Sequence, residues 1–212
     1  EISCSLVGSE MCIRDSTITV FQNHSLIDEI VVVVHPDFIR DVEDISLRNS
    51  FNKLKKILLG GKERYHSSLA AINAYDEEVN LLFHDSVRPL VNERIINDCI
   101  RALLTYNAVD VAIPTTDTII QVDDNNEIVK IPSRILLRNG QTPQAFKRSV
   151  IKAAYEKAGM ADYFLQFTGS GRKRRDYRLQ DESRKFQVFN SKSTPVDWIR
   201  DDRKRRQPCL LY

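Results

Sequence analysis

Short β-branched runs alternate with amphipathic stretches between positions 30 and 113, and that alternation leaves few folds open. Ile30-Val-Val-Val-Val34 is a continuous apolar run with no polar face, the mark of a strand buried on both sides of a parallel sheet. His35-Pro36 ends it, and Asp37 to Leu47 carries helical spacing through Phe38, Val42 and Ile45. Lys56 to Leu59 is a second short run, stopped by Gly60-Gly61, and Ser67 opens a helical stretch with Leu69, Ala71 and Ile72 inward. Leu81 to Phe83 is a third run, leading into His84-Asp85. Asn92 is placed to cap a helix whose stripe is Ile95, Ile96, Cys99, Ala102 and Leu103. Val109 to Ile113 is a fourth run. Strands and helices of these lengths are βαβ units, so a mostly parallel sheet with right-handed crossovers is expected.

After Pro114 the rhythm changes. Thr118 to Val122 and Glu127 to Ile131 flank the polar turn Asp123-Asp-Asn-Asn126, which reads as a hairpin standing outside the alternation. An arm of this kind commonly grips a second subunit. Lys147 to Ala158 reads as a closing helix with Gly159 at its C-cap. Glu1 to Ser16 shows neither period, and beyond about Ala161 the apolar pattern gives way to charge and scattered aromatics, so neither end is expected to pack.

Composition narrows the class. Apolar residues make up 42% of the 212 and charged residues 28%, ordinary for a globular domain. No apolar run approaches the roughly 20 residues of a membrane span, and the start lacks the pattern of a signal peptide. The four cysteines, Cys4, Cys12, Cys99 and Cys209, form no C-x-x-C pair and no zinc spacing, which suits a reduced cytoplasmic protein. A net charge of +2 does not argue for nucleic acid.

In parallel α/β sheets ligands sit beyond the carboxyl ends of the strands, and three such places are unusual here. Gly60-Gly61-Lys62-Glu63-Arg64-Tyr65-His66-Ser67 joins a strand to a helix; glycines permit close backbone approach, and a helix start beside Arg64 suits phosphate or a polar base. Taken alone, it also matches an ordinary strand-to-helix turn. His84-Asp85-Ser86-Val87-Arg88-Pro89 puts a carboxylate at a strand end, where a Mg²⁺ ligand belongs, with Arg88 near enough for a second phosphate. Alone, it equally reads as a capping Asp with a surface Arg. Gln141-Thr142-Pro143-Gln144, preceded by Arg134, reads alone as a polar turn.

Together these segments resemble a known family. "GGKERYHSS", "HDSVRPLV", "IPTTDTI" and "RNGQTPQAF" occur in this order in the sugar-alcohol-phosphate cytidylyltransferases, which act on 2-C-methyl-D-erythritol 4-phosphate or on ribitol 5-phosphate. The resemblance covers about Thr17 to Ala158. It implies a Rossmann-like, three-layer nucleotidyltransferase domain with a mostly parallel sheet and a projecting β-arm, at about 117–140, swapped between the subunits of a homodimer. It further implies transfer of CMP from CTP to a polyol phosphate with release of pyrophosphate, with Mg²⁺ as cofactor. Gly60, Gly61, Arg64 and Ser67 would surround the cytidine, Asp85 would bind Mg²⁺, and Arg88 would lie beside the acceptor. Thr118, Arg134 and Thr142 would hold the acceptor phosphate in the partner subunit's site. Ile131 to Arg134 and Gly140 to Thr142 look slightly more like the ribitol branch.

The chain also departs from the family. The family's first strand runs into a glycine-rich loop with an Arg and a following Lys, and no G-x-G-x-R occurs before Phe21. Residues 1–16 contain "SLVGSEMCIRDS", which resembles a translated sequencing adaptor, as "CLLY" at the other end does. The expected organisation is therefore 1–16 foreign, 17–160 the cytidylyltransferase domain without its first strand and loop, and 161–212 out of frame. Codons for Glu182 to Ser191 can be chosen so that reading one base later gives "NPENFKFSTP", close to the family's closing N-x-K-[IV]-T-x-P. On that reading the basic runs Arg172 to Arg175 and Arg203 to Arg206 are accidental, no nucleic acid or membrane is bound, and the chain as it stands transfers little CMP. The rival readings are a nucleic-acid-binding protein using the basic tail and a non-catalytic fragment that dimerises through its arm.

Overall fold

The computed structural model describes residues 7–62, 64–157, 186–190 and 208–211. In chain order the elements are α1 (Val7–Asn23), β1 (Glu29–Val34), a 3₁₀ turn (Pro36–Phe38), α2 (Ile39–Asn49), β2 (Leu54–Leu59) and α3 (Arg64–Asn73). There follow β3 (Asn80–His84), α4 (Glu93–Thr105), β4 (Ala108–Pro114), the short pair β5 (Gln121–Val122) and β6 (Ile128–Lys130), and a 3₁₀ turn (Arg134–Leu136). Last come β7 (Arg138–Lys147), α5 (Arg148–Lys157), β8 (Phe186–Asn190) and β9 (Pro208–Leu211).

The β-branched run of β1 does what its lack of a polar face requires. Ile30 and Val32 point into one apolar cluster and Val31 and Val33 into another, on opposite sides of the sheet. The first cluster takes Ile18 and Phe21 of α1, Val42 and Ile45 of α2, and Ile96, Cys99 and Leu103 of α4. The second takes Ala71 and Ile72 of α3 with Ile151 and Tyr155 of α5. Helices on both faces of one sheet give the expected three layers. Asn92 caps α4 as its position suggested, its side chain accepting from Ile95 N at 3.1 Å.

The main sheet runs β2-β1-β9-β3-β7-β4-β8, and all neighbours are parallel except β7, which is antiparallel to β3 and β4. Strand order turns back between β1 and β3, the place where such sheets open a ligand crevice. β5 and β6 form the separate antiparallel pair expected of the arm, although shorter than the runs on either side suggested. Asp123 shapes its turn, accepting from Asn125 N and Glu127 N at 2.9 Å each.

Three expectations are corrected. Gln141 to Gln144 is not a turn but the middle of β7. Pro143, which cannot donate to a ladder, is tolerated there because the register with β4 slips between Asp110 and Ala112. The stretch before Thr17 is helical from Val7 onward, continuous with Thr17 to Asn23. The end of the chain packs: β9 fills the slot between β1 and β3, with Cys209 and Leu211 fully buried and paired to Ile30 and Val32 on one side and Leu82 and His84 on the other. The basic runs at 172–175 and 203–206 and the helix end at Gly159 lie outside the described residues.

Candidate active site

The three sequence segments meet. β3 delivers Asp85 at its carboxyl end, and the turn that follows closes with Arg88 N donating to Asp85 O at 3.0 Å. Arg88 thereby folds back on its own turn, its Nε 2.8 Å from Asp85 Oδ2. From the start of α3, Arg64 Nη2 reaches Asp85 Oδ1 at 2.7 Å. The far side of Arg88, Nη1, donates to Gln141 Oε1 on β7 at 3.0 Å. The result is a chain Arg64–Asp85–Arg88–Gln141 along the crest of the sheet, crossing the place where strand order reverses.

Burial is graded along it. The Asp85 side chain is 16% exposed while the two guanidiniums are 43% and 46% exposed. The carboxylate is held back and the cations face solvent, an arrangement that offers donors to an incoming anion.

The glycine pair is required by space. Gly60 N donates to Val34 O at 2.7 Å, tying the loop to the end of β1. A Cβ on Gly61 would lie 2.1 Å from His66 Cβ, so no side chain fits without moving the loop. Ser67 Oγ accepts from Gly61 N at 3.3 Å, and the Tyr65 and His66 rings stack at 3.8 Å between centroids. Gly60, Gly61, Arg64 and Ser67 thus form one compact corner.

Beneath the crest His84 is almost wholly buried against Phe21, with ring centroids 5.2 Å apart. Its Nε2 lies 3.0 Å from Arg88 O, which makes it the donor to that carbonyl. Burial drives the imidazole pKa down to about 4, outweighing that hydrogen bond and the neighbouring Asp85 charge, so the ring is neutral near pH 7. His84 went unassigned in the sequence because its burial against Phe21 depends on a segment more than sixty positions away. Gln141, a β7 residue, is also part of the cluster.

The remaining sequence candidates stand apart. Thr118 is exposed on the arm, and Arg134 Nη1 donates to Thr116 O at 2.9 Å rather than joining the crest. Thr142 follows Gln141 on β7, and its Oγ1 is buried with no hydrogen-bond partner among the described residues.

This donor set bears on Mg²⁺. Among the described residues no three His, Cys, Asp or Glu side chains converge, and Asp85 offers a single carboxylate whose oxygens both meet arginines. That suits a Mg²⁺ that arrives with phosphate oxygens and takes one carboxylate from the protein, not a resident ion in a protein cage.

The glycine-tied corner, paired arginines and one carboxylate at the strand-order reversal make this a three-layer α/β domain whose polar groups gather where such sheets bind their ligands. The model of the 2-C-methyl-D-erythritol 4-phosphate cytidylyltransferase family matches residues 5–164, and the chain belongs to that family. It is 48% identical over 146 residues to the bifunctional ribulose 5-phosphate reductase/CDP-ribitol pyrophosphorylase Bcs1 of Haemophilus influenzae, covering 67% of this chain and 31% of that protein. It is 40% identical over 139 residues to 2-C-methyl-D-erythritol 4-phosphate cytidylyltransferase of Thermobifida fusca, covering 62% of this chain and 56% of the relative. The chain therefore spans less than two thirds of either relative. Among solved structures, 4-diphosphocytidyl-2C-methyl-D-erythritol synthase of Anaerococcus prevotii superposes with a TM-score of 0.68 at 26% identity, over 84% of this chain and 76% of that one.

Proposed function

We propose that this domain transfers CMP from CTP to a polyol phosphate, releasing pyrophosphate. The observation that carries the reading is the Arg64–Asp85–Arg88–Gln141 chain, which joins three separate sequence segments at the carboxyl ends of the strands. The acceptor is D-ribitol 5-phosphate or 2-C-methyl-D-erythritol 4-phosphate. The 48% identity to a relative named as a CDP-ribitol pyrophosphorylase favours ribitol.

In the reaction an acceptor phosphate oxygen attacks the α-phosphorus of CTP, a new P–O bond forms, and the α–β bridging P–O bond breaks with its electron pair leaving on pyrophosphate. Gly60, Gly61 and Ser67 give the cytidine a close-approach corner. The half-exposed guanidiniums of Arg64 and Arg88 exchange Asp85 for phosphate oxygens as the triphosphate enters. Once seated on the phosphates, these cations lie where charge develops and need little further reorganisation at the moment of reaction. Mg²⁺, held through Asp85, would neutralise charge on the phosphates. Thr142 carries a buried hydroxyl without a partner among the described residues, and with Thr118 and Arg134 it is assigned to the acceptor phosphate.

A homodimer is part of the same proposal. Ile128, Val129 and Ile131 are exposed on the arm, and a second copy would cover them. Among the described residues no helix is long and apolar enough to cross a membrane, and Cys99 and Cys209 are free thiols, consistent with the cytoplasmic setting proposed here.

The test is pyrophosphate release measured with CTP and each acceptor in turn, on this chain and on a longer version carrying the family's glycine-rich loop. Release from the longer version should require both CTP and one polyol phosphate and be much weaker from this chain. Failure of both acceptors in both proteins would refute the assignment.

A further inference from the structure

α1 meets the site turn through a hydrogen bond that the sequence does not advertise. Thr17 is fully buried in α1, and its Oγ1 lies 2.7 Å from Ser86 O, in the middle of the Asp85–Arg88 turn. The same oxygen lies 3.0 Å from Ile13 O, the i−4 carbonyl of its own helix. A hydroxyl has one proton, and the shorter contact is the one across to the turn. A mid-helix threonine ordinarily returns its proton to i−4, where that carbonyl already has a backbone partner. Ser86 O accepts from no backbone donor among the described residues.

The turn is thus fixed from below at two carbonyls. Thr17 donates to Ser86 O, and His84 donates to Arg88 O at 3.0 Å, while Arg88 N closes the turn onto Asp85 O. With these carbonyls held by donors from the core, the Asp85 carboxylate and the Arg88 guanidinium are presented together toward Arg64 and Gln141. Next along the helix, Phe21 packs on the His84 ring, so α1 supports both holding points.

We propose that Thr17 is a positioning residue: its hydroxyl fixes the Asp85–Arg88 turn in the orientation that presents both side chains to nucleotide. This rests on the reading of Asp85 and Arg88 as nucleotide ligands. Valine is the informative replacement, since it keeps the β-branched shape and deletes only the donor. Thr17→Ser keeps the donor and deletes only the methyl group.

Amide hydrogen exchange followed by NMR on the full chain, with titration of CTP and Mg²⁺ by calorimetry, tests the proposal. In Thr17→Val the Arg88 amide should exchange about tenfold faster while amides of β1 and β4 keep their rates, the scale of one lost hydrogen bond. CTP should bind about tenfold more weakly, and Thr17→Ser should return to within about threefold of the parent chain. Parent-like exchange at Arg88 in Thr17→Val would overturn the proposal, as would uniform acceleration across the sheet, which marks a core defect. If neither this chain nor the longer version carrying the glycine-rich loop binds CTP, the nucleotide reading falls and with it the functional half of this proposal. The exchange data still decide whether Thr17 holds the turn.

Discussion

Replacing Asp85 by Asn should have opposite effects on CTP binding with and without metal. In the free protein the carboxylate neutralises Arg64 and Arg88 through contacts of 2.7 and 2.8 Å. A triphosphate entering without metal must break both contacts before the guanidiniums can receive it. Each involves an arginine that is nearly half exposed, so each is worth a few tenths to about 1 kcal/mol. Together they set a cost of about 1 kcal/mol, which Asp85→Asn removes. Metal-free CTP should then bind about fivefold more tightly to the variant. With Mg²⁺ the order reverses, because the parent chain gains a metal ligand where the variant offers a neutral amide. In a version active for CMP transfer the loss should reach roughly two to three powers of ten in kcat, the scale of one removed electrostatic contact. Thermal unfolding should move by no more than a few degrees, since about 1 kcal/mol shifts a domain of this size by roughly 2–4 °C. Calorimetric titration of CTP with and without Mg²⁺ reads both signs. Weaker metal-free binding in Asp85→Asn, or an undiminished Mg²⁺ effect, would refute the reasoning.

Gly61→Ala should cost about 1–3 kcal/mol in chemical denaturation and weaken CTP binding, because its methyl would meet His66 Cβ at 2.1 Å and displace the corner. Stability should fall as pH drops from about 6.5 toward 4, by up to roughly 3 kcal/mol from His84 alone. Its folded pKa lies below its unfolded one, so the unfolded chain takes up the proton first. His84→Phe should flatten part of that slope in pH-dependent melts, and an unchanged slope would count against the burial of the ring. Cys99, its thiol pushed up to about 12 by burial, and Cys209, raised well above the ordinary thiol range for the same reason, should both resist a thiol reagent until the chain unfolds. Rapid labelling of Cys209 in the folded protein would show that β9 does not occupy its slot.

The parts of the fold legible in the sequence were those whose burial is one-sided or complete. β1 and β3 are apolar at every central position because both faces are covered, and α4 shows an apolar stripe behind an Asn cap. α1 hid because its buried residues from Thr17 onward are only Thr17, Ile18 and Phe21, one of them polar, with the buried His24 just past its end, so a search for apolar period sees little. β7 hid because it carries Gly140, Gln141 and Pro143, residues that ordinarily argue against a central strand, and the slipped register accommodates the proline. β9 hid because four residues at the end of a chain have no period to read; their partners lie more than a hundred positions away. Asp85, Arg88, Arg64 and the glycine pair were visible as chemistry at strand ends. That Gln141 joins them, and that Thr17 and His84 hold the turn from below, depends on contacts between distant segments that spacing alone does not encode.

The most direct test is a crystal structure with Mg²⁺ and a non-hydrolysable CTP analogue bound. The Arg64–Asp85 and Arg88–Asp85 contacts, now 2.7 and 2.8 Å, should open, with guanidinium nitrogens on phosphate oxygens and one Asp85 oxygen on the metal. The cytidine should lie against Gly60, Gly61 and Ser67. A nucleotide seated elsewhere, or one bound with both arginines still on Asp85, would contradict the proposed site.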